Sequence, residues 1–76
     1  MMVDFIKYVI QSLVDAPEEM QIKEIEGDTT TILEITVAKS DAGHVIGKQG
    51  KVINALREVV RATTRKGEKK IVIEVT

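Results

Sequence analysis

The first hydrophobic pattern along the chain is that of an amphipathic helix. Its apolar residues recur at three- and four-residue spacing, which lines one side of a helix: Ile6, Val9, Ile10, Leu13 and Val14. Pro17 ends this helix, because the residue before a proline is pushed out of helical geometry. Residues 15–18 are therefore predicted to form a turn.

Two strands are predicted next, from alternation of apolar and polar positions. Met20 and Ile22 follow this alternation, whereas Ile25 is out of phase and predicts a β-bulge. Gly27-Asp28 is a turn signal. The short connection favours an antiparallel hairpin. One face of the second strand carries Thr31, Leu33, Ile35 and Val37.

The second half of the chain predicts two helices and a last strand. Ser40 or Asp41 is expected to cap a short helical turn that Gly47 interrupts. A longer helix resumes near Lys51 and ends near Gly67, and its apolar face carries Ile53, Leu56, Val60 and Thr63 or Thr64. Arg65 and Lys66 precede that end, where their positive charges would interact favourably with the negative end of the helix dipole. The last strand alternates Ile71, Ile73 and Val75 with Val72 and Glu74. The order αββααβ predicts an α+β domain, a sheet covered by helices.

Composition limits the class of protein. The 76 residues predict one domain, spanning 1–76, with a core of Ile, Val and Leu, because Phe5 and Tyr8 are its only aromatic residues. Without cysteine and with only His44 as a histidine, no zinc site is expected. No apolar run is long enough for a membrane helix. The N-terminal segment is not expected to be a signal peptide, because polar and charged residues interrupt its apolar residues. A cytoplasmic location is expected.

Charge is unevenly distributed although the net charge is only −1. Residues 1–38 hold eight acidic and two basic residues, whereas residues 39–70 hold nine basic and three acidic ones. A chain polarised in this way can present a basic face to an anionic partner. Ordinary solvated surface charge is the alternative explanation.

The most informative motif is Gly47-Lys48-Gln49-Gly50, between the two predicted helices. Two glycines three positions apart allow a tight loop whose backbone can approach a ligand closely. The loop brings N–H groups to the start of the following helix, where negative charge is favoured, and Lys48 and Lys51 add positive charge. A helix–turn–helix connector without a ligand would carry the same glycines. The spacing fits neither a Walker loop nor a dinucleotide-binding fingerprint.

The segment Val45-Ile46-Gly47-Lys48-Gln49-Gly50-Lys51-Val52-Ile53, followed by Leu56, resembles the signature of KH domains. The order αββααβ is similar to the prokaryotic, type II form of that fold, and the resemblance covers nearly the whole chain. The runs Leu13-Val14-Asp15-Ala16-Pro17-Glu18 and Asp41-Ala42-Gly43-His44-Val45-Ile46-Gly47-Lys48 resemble in particular the KhpA family of small bacterial RNA-binding proteins.

This resemblance implies a non-enzymatic protein that binds single-stranded RNA. The glycine loop would clamp the backbone of about four unstacked nucleotides, with the bases across an apolar groove. By position, Gly47, Lys48, Gln49 and Gly50 would hold phosphates, and Lys51 would lie near the strand. Val45, Ile46 and Ile53 would support the groove, although core packing explains each equally well. Helical spacing, rather than the resemblance, adds Asn54 and Arg57 as residues able to reach the RNA.

The long helix carries more apolar residues than one buried face requires, namely Val52, Ala55, Val59 and Ala62 in addition to its core positions. In so small a domain this predicts a dimer interface. The resemblance implies a homodimer, a heterodimer with a larger KhpB-like KH protein, or both.

Two other readings remain open. A protein-interaction adaptor would use the same fold to dimerise without touching RNA, and single-stranded DNA is not separated from RNA by the sequence. An enzyme is not expected, since no nucleophile–base pair is present. No cofactor, metal, membrane partner or small-molecule substrate is expected.

Overall fold

The computed structural model describes residues 2–76, in which three α-helices and three strands follow the predicted order αββααβ. The elements are α1 (Met2–Leu13), β1 (Gln21–Glu26), β2 (Thr30–Thr36), α2 (Ala42–Ile46), α3 (Lys51–Thr63) and β3 (Lys70–Val75). Short 3-10 turns occur at Pro17–Glu19, Lys39–Asp41 and Lys48–Gly50. Among residues 2–76, no helix has both the length and the apolar character needed to cross a membrane.

The strands form one mixed sheet in the order β1-β2-β3. β1 and β2 form the predicted antiparallel hairpin, and β3 pairs with β2 in parallel. The predicted bulge at Ile25 is wrong, because the β1–β2 register runs without a break. Ile25 is paired with Ile32 and is 40% exposed. Its break in phase reflects an apolar side chain on the outer face of the sheet and not an inserted residue.

All helices cover the other face of the sheet, as predicted, and the core lies between the two layers. β2 and β3 contribute Leu33, Ile35 and Ile73, and these pack against buried residues of all three helices: Ile6, Ile10, Val45, Ile53, Leu56 and Val60. The core is aliphatic, since Phe5 and Tyr8 are 43% and 70% exposed.

Asp41 joins the segment after α1 to the start of α2. Its side chain is buried, 1% exposed, and its two carboxylate oxygens accept hydrogen bonds from the backbone N–H groups of Asp15 (2.9 Å) and Ala16 (3.0 Å). Asp41 occupies the N-cap position of α2, as predicted, but its side chain makes no cap bond, because both of its oxygens are bonded to the segment after α1. A buried carboxylate requires such partners, and here they fix the path of a distant loop.

The predicted end of α3 near Gly67 is also wrong, because the helix ends at Thr63. Thr64 is extended, with φ −75° and ψ 125°. The hydroxyls of Thr63 and Thr64 donate to the carbonyls of Val59 and Val60 at 2.9 and 2.7 Å, and the carbonyl of Val60 also accepts the backbone N–H of Thr64, so both threonines are bonded back to the last turn. Arg65 and Lys66 therefore lie in the following loop and not in the last helical turn.

Candidate nucleic-acid interface

The GxxG loop (residues 47–50) has a backbone conformation that few residue types adopt. Gly47 has φ 80° and ψ 166°, a region that is essentially restricted to glycine. Gly50 is left-handed, with φ 76° and ψ 14°, and Gln49 is a left-handed residue that is not glycine, with φ 58°. Glycine is therefore required by the backbone at position 47, whereas at position 50 the left-handed conformation favours glycine without excluding other residues, as Gln49 shows.

Gly47 is also required by packing within the protein. A Cβ at this position would lie 2.5 Å from Cγ2 and 2.7 Å from the backbone nitrogen of Val52. The space left by the missing side chain at Gly47 is thus filled by the first turn of α3 and not by a ligand. At Gly50 an added Cβ would meet Nδ2 of Asn54 at 3.2 Å.

The loop presents unused hydrogen-bond donors at the start of α3. The N–H of Gly50 bonds the carbonyl of Gly47 at 3.0 Å and closes the loop. Within residues 2–76, the N–H groups of Lys48 and Gln49 make no hydrogen bond, and both residues are exposed. These donors stand at the positive end of the α3 dipole, with the exposed Lys51 beside them. Such an arrangement favours an anion such as a phosphate.

The three aliphatic residues predicted to support the groove differ in exposure. Val45 is fully buried and Ile53 is 5% exposed, so both are core residues, as the packing alternative predicted. They can support a binding surface only from beneath. Ile46, which is 38% exposed beside the loop, has surface to offer a ligand.

Asn54 and Arg57 lie on the side of α3 that faces β3. Nε and Nη2 of Arg57 both donate to the carbonyl oxygen of Ile73, at 3.3 and 2.8 Å. Nη1 donates to Oδ1 of Asn54 at 3.2 Å. The arginine is therefore held against the exposed edge of β3, at the wall of a groove.

This groove, of about 470 Å³, runs between α3 and β3. Its lining combines charged residues with the apolar surface of β3, and consists of Arg57, Glu58, Arg61, Thr64, Glu68, Lys70, Ile71, Val72 and Ile73. Sequence reasoning missed most of these residues. The four-residue spacing of Arg57 and Arg61 indicates that they share one face of a helix, but the sequence pattern does not show that β3 lies beside that face.

Glu58 and Arg61 form an ion pair inside the groove lining. Nη2 and Nε of Arg61 donate to the two carboxylate oxygens of Glu58 at 2.6 and 3.2 Å. The hydrogen bond from Arg61, with the attraction of its charge, lowers the pKa of Glu58. The same pair raises the pKa of Arg61. Both groups thus stay charged over the ordinary pH range, and the positive charge of Arg61 is compensated.

The side of α3 away from β3 carries the residues predicted for a dimer interface. Val59 is 45% exposed, Ala55 and Ala62 are exposed, and Val52 is half-buried beside the GxxG loop. Val59 lines a shallow pocket together with Met2 and Phe5 of α1. Aromatic surface from the N-terminal helix therefore extends the apolar side of α3, which the sequence did not reveal.

One cluster of potential metal ligands occurs among residues 2–76, formed by Asp15, Asp41 and His44 within 4.8 Å of one another. Both oxygens of Asp41 already accept backbone hydrogen bonds, so its carboxylate serves to hold the chain. His44 is an exposed residue of α2, with 60% of its side chain accessible.

Comparison with known proteins agrees with this geometry. The family described as "KhpA/KhpB, KH domain" matches residues 3–75. The chain is 45% identical to the RNA-binding protein KhpA of Chlamydia caviae, over 97% of this chain and 95% of the relative. It is 42% identical to RNA-binding protein KhpA of Clostridium acetobutylicum, covering 97% and 99%, and 34% identical to that of Borreliella burgdorferi, covering 96% and 89%. No solved structure gives a significant match. The chain belongs to the KhpA/KhpB family of KH domains, a family of RNA-binding proteins and not of enzymes.

Proposed function

We propose that this chain binds single-stranded RNA through its GxxG loop and the adjoining groove. The observation that carries the proposal is the loop itself, which offers two unused N–H groups and Lys48 at the positive end of α3. The curated relatives, each named RNA-binding protein KhpA, support the choice of RNA.

In this proposal the loop binds phosphates and the groove receives bases. The N–H groups of Lys48 and Gln49 contact phosphate oxygens, with Lys51 close by. The following bases lie between α3 and β3, over the apolar surface of the half-buried Ile71, with the buried Ile73 beneath. We expect such a clamp to contact about two or three phosphates and therefore to bind weakly. The slope of log K against log salt concentration, where K is the binding constant, should be about −0.7 per phosphate contact.

A double substitution of the two middle loop residues tests the clamp. Lys48→Asp with Gln49→Asp keeps both glycines and places acidic groups against phosphate. Aspartate tolerates the left-handed conformation at position 49, where φ is 58°. We expect a loss of at least tenfold in affinity for short labelled RNAs, measured by fluorescence anisotropy, with an unchanged circular dichroism spectrum.

The matched control is Lys7→Asp with Gln11→Asp, which makes the same two changes on the exposed side of α1. It should bind RNA nearly as well as the wild type. Equal loss in both variants would mean that net charge, and not the loop, governs binding. If the wild-type chain binds no RNA, the adaptor function replaces this proposal, and deoxyribose strands of the same sequence show whether DNA is bound instead.

We further propose that the apolar side of α3 is a dimer interface. It would join two copies of the chain or one copy and a KhpB-like KH protein. The exposed Val59, flanked by Phe5, supports this placement.

Val59→Lys should shift a dimer to monomer in sedimentation velocity while leaving the affinity of each loop for RNA unchanged. A wild-type chain that is monomeric at high micromolar concentration would exclude the homodimer. A cytoplasmic location fits RNA binding and is tested by fractionation.

A further inference from the structure

The groove contains no aromatic residue, because Phe5 and Tyr8 both belong to α1. Proteins that bind unstacked bases ordinarily provide flat surfaces on which the bases stack. The flat groups that line this groove are the guanidinium groups of Arg57 and Arg61. They are four residues apart on α3, which places them about 6 Å apart along the helix axis.

Both guanidinium groups are held in place by hydrogen bonds. Each of the three nitrogens of Arg57 donates to an oxygen, either of Ile73 or of Asn54. Arg61 donates through two nitrogens to the two carboxylate oxygens of Glu58. The N–H bonds of a guanidinium lie in its plane. Partners at its edges therefore fix the plane and leave its faces open.

The same bonds make the two arginines poor phosphate ligands. A phosphate would compete with the carboxylate of Glu58 for Arg61, and with two oxygens already bonded to Arg57. A base stacked on the face of the group displaces none of these partners. Guanidinium faces are weakly hydrated and stack readily on π systems.

We propose that Arg57 and Arg61 are stacking platforms for bases of the RNA, and that they read the face of a base and not its edge. This inference rests on the proposed function, since it requires RNA in the groove. It implies that phosphate recognition belongs to the GxxG loop and base recognition to these two residues. Purines, which have larger faces, are then preferred over pyrimidines.

The test measures the contribution of the bases separately from that of the phosphates. The probes are a short labelled oligoadenylate and a strand of equal length built from stable abasic spacers, which keeps the phosphates and lacks the bases. The variants are Arg57→Lys, Arg61→Lys and the two combined, because lysine keeps the charge and removes the plane. Arg65→Lys, on the loop outside the groove lining, is the matched control.

The wild-type chain should bind oligoadenylate more tightly than the abasic strand. We expect each lysine substitution to weaken oligoadenylate binding about fivefold, the low end of base-stacking contributions, and to leave abasic binding and its salt dependence unchanged. Arg65→Lys should change neither. Arg61→Lys alters an exposed ion pair only, so it remains informative if Arg57→Lys perturbs the fold.

An unchanged ratio of the two affinities in the lysine variants would overturn the proposal, as would a wild-type chain that binds both strands equally. In either case, binding that still depends on Lys48 and Gln49 would leave the loop function standing. A wild-type chain that binds neither strand removes both proposals together.

Discussion

The GxxG loop and the α3–β3 groove are neighbours along one helix, but they are built in different ways. The shape of the loop is set by the backbone, through three positive φ angles and the close approach of Gly47 to Val52. The α3 side of the groove is formed mainly by the exposed side chains of Arg57, Glu58 and Arg61, which a few hydrogen bonds hold in place. Substitutions that alter the backbone of the loop should therefore lower the free energy of unfolding, whereas substitutions of the charged side chains in the groove should mainly change RNA affinity.

The largest effect expected from this difference is on the stability of Gly47→Ala. Alanine would have to adopt φ 80° and ψ 166°, which costs about 1–3 kcal/mol, and its Cβ would collide with Val52. Overpacking adds about 1–3 kcal/mol, so we expect a loss of at least about 2 kcal/mol in the free energy of unfolding, measured by urea denaturation.

Gly43→Ala is the matched control for this substitution. Gly43 lies within α2, and a Cβ there would meet nothing within 4 Å. Alanine in place of glycine inside a helix should raise the stability by about 0.5–1 kcal/mol. If both substitutions had the same small effect, the loop would be flexible enough to relax and the comparison of loop and groove would fail.

Substitution of Asp41, which holds the segment leading into α2 and the loop, should lower the free energy of unfolding by nearly as much. Asp41 precedes α2, whose other end leads into the loop, and its buried carboxylate bonds two backbone N–H groups. Asp41→Asn removes the charge and turns a donor toward one of those groups, so unfolding should become easier by about 1.5–3 kcal/mol. Asp28→Asn, in the exposed hairpin turn, should leave the urea midpoint unchanged. Equal midpoints for the two variants would contradict the anchoring role of Asp41.

What the sequence could predict follows from how local each feature is. The order of elements and the aliphatic core were predictable from periodicity, and the loop from its two glycines, because glycine marks positions that other residues cannot adopt. The end of α3 was missed, since two threonine hydroxyls close the helix before the glycine that usually marks such an end.

Features that depend on tertiary placement were not predictable. The groove arises where β3 returns in parallel beside β2 and next to α3, which no local pattern records. The bond between Arg57 and the carbonyl of Ile73 spans this same junction. Likewise, Asp41 was predicted as a local cap because its actual partners, Asp15 and Ala16, are distant in sequence.

The smallest effect on folding should come from Glu58→Gln, in the groove. The ion pair of Glu58 and Arg61 joins side chains that are 66% and 74% exposed, and such pairs contribute little to stability. We expect the urea midpoint at neutral pH to stay almost unchanged. Because Arg61 lowers the pKa of Glu58 from its ordinary 4.5, any contribution is present above pH 4.5 and disappears as the pH falls through the lowered value. The variant and the wild type should therefore converge in acid.

Binding should respond to Glu58→Gln where folding does not. The substitution removes a negative charge from the groove, while the amide oxygen of glutamine can still accept a bond from Arg61 and keep its plane in place. RNA affinity should therefore rise, and its salt dependence should steepen by at most about 0.7, the equivalent of one phosphate contact. Anisotropy titrations at several salt concentrations measure this slope. A shift in the urea midpoint as large as that of Asp41→Asn would contradict the distinction between loop and groove, because it would show that the side chains of the groove also stabilise the fold.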